Sequence, residues 1–229
     1  MLNFLKKDPL KNHVQSEMSP YDEYALKILL NKFERTNLRI LEIGSWFGKG
    51  STTVFSNYAD KIVCVDHWQG NENETHRLLA KETVPFQIFK KNTTSFSGKI
   101  IAVHTHSSNI NDLFARESFD LVFIDGDHRH QQTRNDILNT VHLVKKGGIL
   151  CGHDCEGRPS DSNMDLLKDR LENDHCESIF MNFKEMHPGV ILAVDECVEG
   201  ASLFAEMRFH LTINGKEQSG CSSIWYKQI

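Results

Sequence analysis

Apolar residues recur along the chain with two different periods. Behind Ser19-Pro20-Tyr21-Asp22, Ala25, Ile28, Leu29 and Phe33 share one helical face. A serine cap, a first-turn proline and an acid three residues after the cap predict an amphipathic helix that covers a sheet. Short apolar runs at Leu38–Ile43, Ile62–Val65, Ile100–Val103, Phe119–Ile124 and Ile149–Gly152 predict strands. The near-continuous run Phe119–Ile124 suits a central parallel strand buried on both faces. Helices are expected over Ser51–Tyr58, Asn71–Thr83, Asn109–Arg116 and Gln131–Val144, the last closed by Lys145-Lys146-Gly147-Gly148. Asp165–Leu171 also has helical character, whereas Pro85–Gly98 matches neither period. Pro188-Gly189-Val190 opens a further helix, with a strand over Val190–Val194 as the alternative. Met207–Ile213 and Ser222–Lys227, joined through Asn214-Gly215, would form a last antiparallel pair. Strands alternating with helices predict an α/β fold.

The strand Leu38–Ile43 runs directly into Gly44-Ser45-Trp46-Phe47-Gly48-Lys49-Gly50-Ser51-Thr52. Its glycines permit a sharp turn and close approach of the backbone to a ligand, and a helix starting near Lys49 would present free N–H groups there. Asp66 ends the next strand 22 residues after Gly44, where a Rossmann-like unit holds a ribose by its hydroxyls. A dinucleotide and S-adenosylmethionine both suit this arrangement. The dinucleotide fingerprint needs G-x-G-x-x-G, but Trp46 stands at its second glycine, where a pyrophosphate requires bare backbone. The spacing therefore favours S-adenosylmethionine over the cofactor of a nicotinamide-dependent dehydrogenase.

A length of 229 residues fits a single α/β domain, with residues 1–18 as a polar lead-in. No apolar run approaches the roughly 18 residues of a membrane span, and Met1–Lys11 lacks the apolar core of a secretion signal, so no membrane partner is expected. Six cysteines without C-x-x-C spacing read as reduced thiols in a cytoplasm. A net charge of −5 argues against a nucleic-acid partner.

Glu42-Ile43-Gly44-x-x-x-Gly48-x-Gly50-Ser51-Thr52 resembles motif I of the class I S-adenosylmethionine-dependent methyltransferases. From about Leu38 onward the chain is similar to the subgroup of macrocin-type and catechol-type O-methyltransferases and cephalosporin-hydroxylase-like proteins. Phe119–His128 and Gly147–Asp154 carry the rest of the resemblance. It implies a Rossmann-like fold: a seven-stranded, mostly parallel sheet with helices on both faces and an antiparallel last strand. The residues placed at the cofactor are Glu42, Gly44, Ser45, Trp46, Gly48, Ser51, Asp66, His67, Trp68, Ser107 and Asp125, with Ser107 and Ser108 near the adenine. Trp68 reads equally well as a packing residue. The segment 155–187 would cover the crevice and select the acceptor.

Methyl transfer requires an in-line nucleophile, removal of its proton and exclusion of water. Asp125, His153 and Asp154, at the ends of adjacent strands, form a plausible divalent-metal site. The resembled metal-dependent enzymes carry Asp-Asn or Asp-Asp where this chain has His153-Asp154. That departure puts magnesium, and the metal itself, in doubt, because histidine suits manganese, iron or zinc better. Alternatively, Asp125 and Asp154 hydrogen-bond the cofactor, and His128, His153 or His187 acts as the base. Asp125, His128, His153 and His187 are thus the candidate catalytic residues. Arg129 and Arg158 read either as anchors for an anionic substrate group or as solvated surface residues. The expected reaction is O-methylation of a small hydroxylated metabolite or saccharide. An N-methyltransferase acting on a small amine and a non-catalytic scaffold are the alternatives, and a homo-oligomer is compatible with either.

Overall fold

Strands that are apolar on both sides are stable only between two covering layers. The computed structural model describes residues 18–70, 80–81 and 84–229. The lead-in before Met18 and most of the helix expected over Asn71–Thr83 lie outside the described residues. The strands are β1 (Leu38–Ile43), β2 (Ala59–Asp66), β3 (Ile100–His104), β4 (Phe119–Ile124), β5 (Val144–Gly152), β6 (Cys176–Glu177), β7 (Glu185–Met186), β8 (Ser202–Leu203), β9 (Phe209–Ile213), β10 (Lys216–Gly220) and β11 (Trp225–Gln228). The α-helices are α1 (Pro20–Asn31), α2 (Ser51–Ser56), α3 (Pro85–Asn92), α4 (His130–Thr140), α5 (Met164–Lys168) and α6 (Pro188–Cys197).

Seven strands form one sheet in the order β3-β2-β1-β4-β5-β11-β8. The first five in that order are parallel, while β11 runs antiparallel to both β5 and β8. Alternation along each strand divides the core. Leu41, Ile43, Val63, Val122 and Ile124 face Ile137 of α4 and Ile191 and Val194 of α6. Leu38, Ile40, Ile62, Leu121 and Phe123 face Leu26 and Leu29 of α1, Phe55 of α2 and Phe89 of α3. Chain order reverses between β1 and β4, so a crevice opens at their carboxyl ends. Hydrogen bonds continue past the strand ends there: Gly44 N–H donates to Val65 O (2.9 Å), Asp125 N–H to Ile43 O (2.9 Å) and His153 N–H to Ile124 O (3.1 Å). At the opposite edge, buried Asp120 accepts from Arg39 N–H (2.8 Å) and Lys145 Nζ (2.9 Å) and pairs with Arg35. Burial opposes its ionisation, but these donors hold its carboxyl below the usual value.

The expected capping box forms: Ser19 Oγ accepts from Asp22 N–H (3.2 Å) and Asp22 Oδ2 from Ser19 N–H (3.0 Å). Several boundaries differ from the sequence reading. Helix α2 stops at Ser56 and β2 begins early, at Ala59. Pro85 starts a helix, and Asn109–Arg116 gives way to a 3-10 turn at Ser107–Asp112. The lysine–glycine stretch 145–148 does not close α4, which ends at Thr140; it lies within β5. Phe119 pairs with Val144 but Leu121 pairs with Ile149, so this stretch bulges from the strand. The cause is Asp120, which draws Lys145 inward and abuts Gly148, where a Cβ would come within 2.7 Å of Asp120 O. The expected pairing of Met207–Ile213 with Ser222–Lys227 is also replaced. Asn214 and Gly215 both have positive φ (52° and 75°), which makes a tight hairpin turn, so Ile213 pairs at once with Lys216. The strand β11 is left to pair with β5. Val190–Val194 is helical, not extended. Among the described residues no helix is long and apolar enough to cross a membrane.

Two glycines with similar φ should respond differently to alanine. At Gly44 (φ 84°) a Cβ would lie 1.8 Å from Asp125 O, whereas at Gly147 (φ 78°) nothing lies within 4 Å. Gly147→Ala should cost about 1–2 kcal/mol, the left-handed penalty alone. Gly44→Ala should cost about 2–5 kcal/mol, because overpacking against backbone adds to that penalty. Urea unfolding of both variants measures the difference, which equal losses would refute.

Candidate active site

The turn after β1 is built on buried hydrogen bonds. Glu42 points to the α2 side of the sheet, fully buried, and accepts from Ser51 Oγ (2.6 Å), Thr52 Oγ1 (2.7 Å) and Cys64 Sγ (3.3 Å). Burial pushes its carboxyl up, against the pull of these donors. Asp66 accepts from Trp46 N–H at Oδ2 (2.8 Å) and Trp68 N–H at Oδ1 (2.5 Å), tying the turn to the end of β2. Trp68 Nε1 in turn donates to Trp46 O (2.7 Å).

This turn forms one wall of a cavity of about 380 Å³. Gly44, Ser45, Trp46, Phe47, Lys49 and Ser51 lie on that wall, with Asp66 and His67 from β2. The facing rim carries Asp125 and His128 after β4, His153 and Asp154 after β5, and His187 at the start of α6. Asp174, His175 and Glu185 of the segment 155–187 complete it. A Cβ on Gly189 would lie 2.4 Å from both His128 O and His130 N. That missing side chain lets α6 seat against the turn after β4, and the His128 and His187 rings meet at 4.6 Å.

Asp154 is the hub of the rim. Its φ of 61° is left-handed, a conformation aspartate tolerates better than most residues. Its Oδ2 lies 3.1 Å from His128 Nε2, and its Oδ1 lies 3.0 Å from His153 Nδ1 and 3.6 Å from His187 Nδ1. Each imidazole meets a further carboxylate: Asp174 Oδ1 at 3.0 Å from His128, Asp22 Oδ2 at 3.3 Å from His153, and Glu156 Oε1 at 2.7 Å from His187. Burial would lower the histidine pKa values, but these acids hold His128 and His153 well above the usual value and raise His187. Burial would raise Asp154, but His153, His187 and His128 hold it well below the usual carboxylate range. One ligand atom each from Asp125, His153 and Asp154 lies within 4.8 Å of the other two, and the same holds for His128, Asp154 and His187.

A smaller recess of about 60 Å³ adjoins Gly44 and Asp66, lined by His67, Thr105, His106, Ser107, Gln132 and Asp136. Gln132 Nε2 bridges Ser107 Oγ and Asp136 Oδ1, both at 3.0 Å. Burial pushes the Asp136 carboxyl up to about 7.

Three of the residues expected at the cofactor, Glu42, Gly48 and Trp68, line neither cavity. Glu42 is fully buried and braces the turn through Ser51 and Thr52. Trp68 is 4% exposed and packs on Phe86, Phe89 and His104, which favours its packing role. Gly48 lines neither cavity; it makes room for α3, since a Cβ there would come within 2.7 Å of Thr93 and 2.9 Å of Phe89. Arg129 pairs with Asp127, and Arg158 with Glu206, so both guanidinium groups already face carboxylates. Sequence reading did not single out Lys49, Gln132, Asp136, Glu156, Asp174, His175 or Glu185. The adjacent acid and imidazole of Asp174-His175 were a usable signal, since His153-Asp154 has the same donor types.

The raised Asp136 pKa has a pH consequence. Its stabilising contribution is complete below about 3.8 and disappears as pH rises through about 7. Asp136→Asn should therefore flatten the decline in melting temperature between pH 5 and 8 relative to the unmodified protein. Parallel declines in thermal melts at matched ionic strength would refute the burial effect.

A family model described as Methyltransferase domain matches residues 41–155. Protein R132 of Acanthamoeba polyphaga mimivirus is 29% identical over 135 residues, which cover 56% of this chain and 56% of that protein. The chain thus spans just over half the length of the curated relative it matches. An O-methyltransferase of Bacillus cereus, solved with SAH, superposes with a TM-score of 0.51 at 15% identity, covering 92% of this chain and 81% of that one. A precorrin 8w decarboxylase of Methanobacterium thermoautotrophicum superposes with a TM-score of 0.53 at 7% identity, covering 94% and 93%. At such identities the likeness shows the fold alone. With the family match spanning motif I to the end of β5, the chain belongs to the class I S-adenosylmethionine-dependent methyltransferases.

Proposed function

We propose that this protein methylates a hydroxyl group of a small metabolite or saccharide, with S-adenosylmethionine as the methyl donor. The observation that carries this reading is one cavity bounded by the motif I turn on one side and the Asp125–His153–Asp154 rim on the other. Gly44, Ser45, Trp46 and Ser51 would hold the donor's amino-acid part, and Asp66 its ribose. The recess at Ser107 and Gln132 would take the adenine. When bound, the donor supplies an electrophilic methyl group on a sulfonium.

The donor set of Asp125, His153 and Asp154 fits a divalent cation: two carboxylates and an imidazole, with ligand atoms within 4.8 Å of one another. A cation held there would supply the Lewis acidity that lowers the pKa of an acceptor hydroxyl. The imidazole favours manganese or iron over magnesium. Segment 155–187 contributes Asp174, His175 and Glu185 to the rim, so it would select the acceptor and help exclude water. Six carboxylates line the cavity (Asp66, Asp125, Asp127, Asp154, Asp174 and Glu185), which favours a cationic amine as the second acceptor class.

Chelation with EDTA should abolish transfer of a labelled methyl group across a panel of hydroxylated acceptors and amines, and manganese should restore it. Undiminished turnover in chelator would instead move proton removal to His128 or His187. Asp154→Ala should lower kcat by about 100-fold or more while changing S-adenosylhomocysteine affinity less than about threefold, as expected for a group acting on the acceptor rather than on the donor. Equal losses in both measurements would mark Asp154 as a cofactor contact.

A further inference from the structure

Asp154 belongs to two constellations at once. Its Oδ1 faces His153 Nδ1, beside Asp125, and also His187 Nδ1 at 3.6 Å, while its Oδ2 faces His128 Nε2. Ligand atoms of His128, Asp154 and His187 converge within the same 4.8 Å limit as those of the first site. We propose that the rim holds two divalent cations, the second on His128, His187 and Asp154, with the Asp154 carboxylate shared between them.

The outer contacts of the two histidines support this assignment. His128 Nδ1 lies 3.0 Å from Asp174 Oδ1, so the ring turns its other nitrogen, Nε2, towards Asp154. His187 Nδ1 lies 2.7 Å from Glu156 Oε1, and Glu156 Oε2 accepts the His187 backbone N–H at 3.0 Å. The same Nδ1 lies 3.6 Å from Asp154 Oδ1, so Glu156 fixes the ring beside the shared carboxylate. In His128 the nitrogen away from Asp154 is anchored by a carboxylate, the usual outer arrangement of a metal-bound histidine, fixing tautomer and ring orientation. Glu156 is 4% exposed, and both of its carboxylate oxygens face His187. A surface histidine pair would have no need of such a buried acid.

Charge points the same way. Asp22, Asp125, Asp154, Glu156 and Asp174 surround three imidazoles in a mostly buried site, an excess of negative charge that bound cations offset. Donor chemistry distinguishes the two positions. Two carboxylates and one imidazole accept a harder ion such as manganese, whereas two imidazoles and one carboxylate select a borderline transition ion such as cobalt or zinc over magnesium. In this arrangement His128 and His187 are ligands, so neither is free to act as the base.

The inference rests on the cation site of the proposed function, and a titration separates the two. The full chain, stripped of metal with chelator, is titrated with Co2+ by calorimetry, and its Mn2+-loaded form is examined by electron paramagnetic resonance. The expected result is two equivalents with an exchange-coupled manganese spectrum, falling to one equivalent and an uncoupled spectrum in both His187→Gln and Asp125→Asn. Glu156→Gln should weaken the second equivalent by about 10–100-fold and leave the first unchanged. Thermal unfolding and S-adenosylhomocysteine binding confirm that each variant is folded, and His128→Asn replaces His187→Gln should the latter fail. A single equivalent that survives His187→Gln and is lost in Asp125→Asn overturns the second site and leaves the first standing. A single equivalent with the reverse dependence overturns the pair and the first site together. No binding overturns both.

Discussion

The molecule depends on a close approach of two strand ends. Gly44, at the end of β1, lies so near the backbone of Asp125, after β4, that a single methyl group would overlap the Asp125 carbonyl. The same two residues are joined through the sheet, since Asp125 N–H donates to Ile43 O one residue before the glycine. This contact sets the separation between the turn that would cradle the methyl donor and the acidic rim that would act on the acceptor. No side chain tunes that separation; it follows from parallel pairing of β1 and β4 at the reversal of strand order.

Around this fixed point the protein buries charge in two different ways. At Asp120, remote from the cavity, Arg35, Lys145 and a backbone N–H satisfy one carboxylate and bind the strand starts together. At Asp154 three imidazoles gather on one carboxylate and each is met by another acid. The first arrangement closes on itself as a structural clamp. The second leaves negative charge in excess and turns it towards a cavity, which is characteristic of a site that works on a ligand.

Much of this was legible from the order of residue types. The apolar runs at 38–43, 62–65, 100–103 and 119–124 are local signals, and each became a parallel strand at the expected place. The serine–proline–acid start of α1 and the glycine spacing after β1 are local too, because capping and positive φ depend on a few adjacent residues. The convergence of Asp125, His153 and Asp154 followed from topology once the strands were recognised, since parallel strands place their carboxyl ends on one edge.

Tertiary structure alone decided what depends on contacts distant in sequence. The bulge at 145–148 exists because Asp120 draws Lys145 inward, and nothing adjacent to those glycines signals it. Glu42 and Gly48 belong to the motif and Trp68 follows Asp66, yet none of the three lines the cavity: Glu42 is tied to Ser51, Gly48 makes room for α3, and Trp68 packs on Phe89. The pairing of His128 with His187, 59 residues apart, needs the bare backbone of Gly189 against the turn after β4. Residue order determined which groups reach the rim of the sheet through hydrogen-bonded strands. Only packing of the connecting segments decided which of them meet, because side-chain distances across a cavity are set by the elements that close it.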